Sequence, residues 1–91
     1  MRRVHVVVTG NVQGVGYRYS LRMRAHAAHV NGWARNRLAG TVEAELEGDP
    51  EQVDALLAWM EQGPPGSSVS GVHVRELSPV GATAFEVLPT L

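Results

Sequence analysis

Apolar and polar residues alternate at the start of the chain, with Val4, Val6 and Val8 set against Arg3, His5 and Thr9. A period of two marks a strand with one buried face. From Tyr17 the period lengthens, and Tyr17, Leu21, Ala25 and Ala28 share one side of a predicted helix that Asn31-Gly32 stops. Residues 32–37 and 41–47 read as two strands joined at Leu38-Ala39-Gly40. In the second, Val42, Ala44 and Leu46 point one way and Glu43, Glu45 and Glu47 the other, which predicts an antiparallel sheet with a solvated face. Asp49 is placed as a helix N-cap, Pro50 suits the first helical position, and Gln52 completes a capping-box-like spacing. Val53, Leu56, Leu57 and Met60 give the second helix its apolar stripe, and Gly63-Pro64 ends it. A loop at 63–68, a strand over 69–77, a break at Pro79-Val80-Gly81 and a short strand near 85–88 complete the chain.

The order is β-α-β-β-α-β with a short extra strand. Only one sheet face is apolar, so both helices must cover that face. The expectation is an α+β, ferredoxin-like split βαβ sandwich, with 1–91 as a single domain. This layout serves many functions and decides none.

Composition narrows the field. The formal net charge is −1 and there is no cysteine, so nothing favours a nucleic-acid partner, and a disulfide framework, a thiolate metal site and a thiol nucleophile are excluded. The apolar run after Arg2-Arg3 is too short for a secretory signal, and no stretch approaches a membrane span. A soluble cytoplasmic protein is the expectation.

The stretch VVVTGNVQGVGYR, Val6 to Arg18, places Gly10, Gly14 and Gly16 between the first strand and the first helix. The free amides at a helix N-terminus, with the helix dipole, favour an anion. Glycines let successive amides turn inward as a nest that a phosphate fits. The same glycines would equally serve a plain strand-to-helix turn. The pattern is neither a P-loop nor a dinucleotide fingerprint, which disfavours nucleotides. Arg18 sits in the first helical turn, where a cation is unfavourable unless an anion is present, and its planar fork suits phosphate oxygens.

These residues carry a resemblance. GNVQGVGYR (10–18) is similar to the signature of the acylphosphatase family, and GWARNRLAGTVEAELEG (32–48) resembles that family's second signature. The likeness extends over nearly the whole chain. It implies metal-independent, cofactor-free hydrolysis of a small-molecule acyl phosphate, a carboxylic–phosphoric mixed anhydride, to a carboxylate and inorganic phosphate. By motif position, the backbone amides of Gln13, Gly14, Val15, Gly16, Tyr17 and Arg18 would cradle the phosphoryl group. Arg18 would hold that group and Asn36 would orient the attacking water. Inorganic phosphate would bind the same cradle, and the protein would act as a monomer without nucleic acid or membrane.

On its own, Asn36 reads equally as a hairpin residue. Gln13 is read as shaping the loop or bonding its backbone rather than doing chemistry, and Trp33 is given no role. His26 and His29, three apart, lack a third metal ligand, and neither His5 nor His73 has a serine–carboxylate pair beside it. Three other readings remain open: a phosphate- or carbamoyl-phosphate-binding module without catalysis, an RNA-binding sheet and a ligand-sensing domain. The RNA reading is weak, since aromatics make up only 5% of the chain and glutamates line the central strand.

Overall fold

A computed structural model describes all residues, Met1–Leu91. The elements run β1 (Arg2–Asn11), α1 (Tyr17–Ala27), β2 (Asn31–Asn36), β3 (Val42–Gly48), α2 (Pro50–Met60), β4 (Ser68–Leu77) and β5 (Phe85–Val87). They form one five-stranded sheet in the order β4-β1-β3-β2-β5. The first four strands pair antiparallel, as alternation predicts. The short fifth strand pairs parallel to β2, so the sheet is mixed. That direction follows from the connection: the chain leaves β4 at one edge and crosses to the opposite edge before it turns upward.

Val4, Val6 and Val8 of β1 and Val42, Ala44 and Leu46 of β3 are fully buried on one face. Tyr17, Leu21 and Ala25 of α1 meet them, together with Val53, Leu56 and Met60 of α2, in a single core. Complete burial of a leucine such as Leu21 stabilises the fold by about 1.5–3 kcal/mol. The Tyr17 hydroxyl donates to the Met60 carbonyl at 2.7 Å, and its ring packs against Trp59 at 5.4 Å between centroids. The first residue of α1 is thereby pinned to the end of α2.

Three expectations change. Asp49 does cap α2, but its side chain makes no capping hydrogen bond. Ala28 lies at the C-cap of α1 rather than within it. Glu47 does not face solvent. It is 4% exposed, bonded to Arg3 at 3.0 Å, and accepts the backbone N–H groups of Val80, Gly81 and Ala82. The crossover to β5 is tied to the sheet by this carboxylate. Its pKa is held below the ordinary glutamate value chiefly by the Val80 N–H, with Arg3 and the other two amides adding to the effect.

Candidate active site

β1 delivers the chain to the loop 12–16, and the three glycines around it do two different jobs. Gly10 stands where the β1–β4 register shifts, and a Cβ there would lie 2.1 Å from the Ser68 carbonyl oxygen. It permits a close strand approach at a bulge and lies outside the cradle. Gly14 and Gly16 have φ of +73° and +78°, and a Cβ on either would meet nothing within 4 Å. Glycine is required there by backbone conformation, with open space above the loop. Val15 between them is not left-handed. This alternation turns successive amides toward one side, the geometry of a nest.

Gly16 is the N-cap of α1, and the first bond inside the helix is Ser20 N–H to the Gly16 carbonyl. The backbone N–H groups of residues 13–19 donate to no protein acceptor. No side chain caps this helix and no acidic residue occupies its first turn. Free amides and the positive end of the helix dipole therefore coincide at one place, beside Arg18.

All eight cationic side chains of Lys and Arg type are arginines, and their partners can be traced. Arg2, Arg3 and Arg37 pair with carboxylates. Arg24 lies over Trp59 and Arg35 over Trp33. Arg22 and Arg75 are exposed. Arg18 is the one half-buried arginine with neither a carboxylate nor an aromatic partner.

Asn36 closes β2, opposite Val42 of β3, and Val42 in turn lies opposite Val8 of β1. The end of β2 and the exit of β1 thus flank the start of β3 at the same end of the sheet. The Asn36 side chain makes no hydrogen bond, and its Oδ1 is buried without a partner. A buried, unpartnered amide oxygen costs stability and calls for an explanation. A water molecule or a substrate group would supply the missing donor. Arg35 Nε is the other buried orphan, on the sheet's open face.

The Gln13 side chain reaches beyond its own loop. Its Nε2 does not bond the loop it belongs to but donates to the carbonyls of Arg37 and Thr41, at 2.8 and 2.9 Å. Sequence reasoning missed this bridge, since nothing local to residue 13 points to residues 37 and 41. Trp33 sits on the open sheet face under Arg35, away from the loop. A groove of about 300 Å³ runs between the helices beside Arg24, Ala55 and Trp59 and shares no residue with the loop. His5 bonds Glu43 at 2.7 Å on the sheet face. An undonated row of amides, an unpaired arginine and an orphaned amide oxygen at one end of a sheet can hold a tetrahedral anion and place a water beside it.

Known proteins share this arrangement of sequence and fold. The profile of the acylphosphatase family matches residues 4–87. An acylphosphatase of Methylococcus capsulatus is 52% identical over 89 residues, 97% of each chain. One from Thermococcus kodakarensis is 48% identical over 86 residues, 94% of each chain. The crystal structure of acylphosphatase from Bacillus subtilis superposes with a TM-score of 0.94 at 34% identity, covering 97% of this chain and 99% of that one. With both signatures in place on a matching fold, the chain belongs to the acylphosphatase family.

Proposed function

We propose that this protein hydrolyses acyl phosphates to a carboxylate and inorganic phosphate, without a metal or other cofactor, at the loop 13–18 with Arg18 and Asn36. One observation supports this reading: the undonated amides of residues 13–19, the unpaired Arg18 and the orphaned Asn36 Oδ1 all lie toward the same end of the sheet. In this reading the amides and the Arg18 guanidinium hold the phosphoryl oxygens. Asn36 Oδ1 accepts a hydrogen bond from a water and aims its oxygen at phosphorus.

The new bond is O–P from water, and the bond that breaks joins phosphorus to the acyl oxygen. The electron pair leaves with the carboxylate, a stable anion that needs little protonation, and the water's proton passes to a phosphoryl oxygen. Strong general-base catalysis is therefore not required. Positioning and charge stabilisation can carry the rate, and one preorganised partner for developing negative charge is worth on the order of 10²–10³ in turnover.

The reading includes a monomer in the cytoplasm that acts on a small molecule, takes inorganic phosphate as a competitive ligand and uses neither nucleic acid nor a membrane. No helix is long and apolar enough to cross a bilayer.

The test is hydrolysis of benzoyl phosphate by the purified chain in EDTA, beside Arg18→Ala at equal folded concentration. Turnover that survives chelation and collapses in the variant is expected. Turnover unchanged in Arg18→Ala would overturn the assignment of the cradle.

A further inference from the structure

The Gln13 side chain lies between the two halves of the proposed site. Its two Nε2 hydrogens are both used, on the Arg37 and Thr41 carbonyls, and this pair of oxygens fixes which end of the amide faces them. Both carbonyls already accept a backbone N–H. Arg37 O takes Gly40 N–H at 3.0 Å, and Thr41 O takes Arg37 N–H at 2.9 Å. The hairpin turn between β2 and β3 is therefore closed without Gln13, and removing Gln13 orphans neither oxygen. What the two additional bonds do is dock the cradle loop onto the hairpin.

Asn36 immediately precedes Arg37, and no hydrogen bond holds its side chain. Its placement relative to Arg18 therefore depends on how the hairpin sits against the loop. Resting on the roles given above to Arg18 and Asn36, we infer that Gln13 is a positioning residue: its side chain sets the distance between the phosphate cradle and the water-orienting amide of Asn36. A displacement of about 1 Å in such a site can cost on the order of 10²-fold in rate. Phosphate binding depends on the loop's own amides and Arg18, so it should change far less.

The experiment is a double-mutant cycle on the full chain with benzoyl phosphate, measuring kcat, KM and the inhibition constant for inorganic phosphate. Gln13→Ala should lower kcat by roughly 10- to 100-fold while the phosphate constant stays within about threefold. In the Asn36→Ala background, Gln13→Ala should add no more than about a twofold loss, because its effect passes through Asn36. Gln13→Met, of similar length and neutral but with no N–H to offer the two carbonyls, should behave like Gln13→Ala.

Losses that multiply in the double variant, with Asn36→Ala itself slow, would overturn the coupling and leave the active-site reading intact. Full turnover in Asn36→Ala would overturn the water assignment, and this inference with it. If neither Gln13 variant folds, the two bonds hold the fold rather than the spacing, and the inference falls.

Discussion

Replacing Arg18 with alanine should remove turnover and yet make the phosphate-free protein more stable. Arg18 lies in the first turn of α1, where no acidic side chain offsets it and no side chain caps the helix. A cation at that end is opposed by the helix dipole by about 0.3–1 kcal/mol at low ionic strength. Alanine also exceeds arginine in helix propensity by a few tenths of a kcal/mol, roughly. Arg18 takes part in none of the ion pairs, so its removal strands no carboxylate. The expected gain is about 0.5–1 kcal/mol, or roughly 3–6 °C in Tm for a domain of this size.

Phosphate should reverse the order. A ligand at a hundredfold its Kd adds about 2.7 kcal/mol to whichever protein binds it, here the parent and not the variant. Thermal unfolding at low salt, with and without inorganic phosphate, should therefore give curves that change rank, and added inert salt should shrink the phosphate-free gain. If Arg18→Ala is less stable by about 1 kcal/mol or more without phosphate, the arginine holds the fold and the electrostatic argument is wrong. Equal stabilisation of both proteins by phosphate would remove Arg18 from the anion site.

Gly16→Ala adds a Cβ that touches nothing, so its cost should be the left-handed backbone alone, about 1–2 kcal/mol, with weaker phosphate inhibition. Gly10→Ala forces a Cβ to 2.1 Å from the Ser68 carbonyl oxygen and should cost more stability; equal losses in urea unfolding would contradict the division of roles between these glycines. Tyr17→Phe removes the bond to the Met60 carbonyl and should lower stability by about 1–2 kcal/mol with little effect on kcat, which paired denaturation and turnover assays would check. The depressed pKa of Glu47 means its contribution is present above the ordinary value of 4.5 and is lost as pH falls through the lower folded-state value. Thermal unfolding across pH should show Glu47→Gln less stable at neutral pH and flatter on the acid side, and parallel acid limbs would count against the linkage.

The elements were legible because each buries one face, and burial imposes a period that the sequence displays. β2 was expected at 32–37 and lies at Asn31–Asn36, while β3 was expected at 41–47 and lies at Val42–Gly48. Arg18 was legible for a local reason: its distance from the glycines sets it in the first helical turn. Gln13 and Gly10 were not, because their roles depend on partners 24 and more residues away, Arg37 for one and Ser68 for the other. The direction of β5 was also hidden. Alternation identifies the faces of a strand but not the edge of the sheet that it joins.

Glu47 shows most clearly where alternation stops being informative. The pattern VEAELEG puts Glu43, Glu45 and Glu47 on one side of β3, as observed, but says nothing of what lies against that side. Arg3, 6% exposed, stands directly opposite Glu47 on β1 and reaches both Glu45 and Glu47. Burying such a pair is unfavourable unless its remaining hydrogen-bonding capacity is met. Here the need is met by the chain itself. The crossover from β4 to β5 must pass the end of the sheet with little apolar surface to hold it, and its amides at 80–82 find their acceptor in Glu47. A polar position on a regular strand thus becomes the anchor of an irregular segment, and β5 can reach the edge beside β2. The contrast with Arg18 is physical. At this end of β1 the arginine is matched by carboxylates within the fold, whereas beyond its other end an arginine and a row of amides have no protein partner, and an anion from solution can serve as theirs.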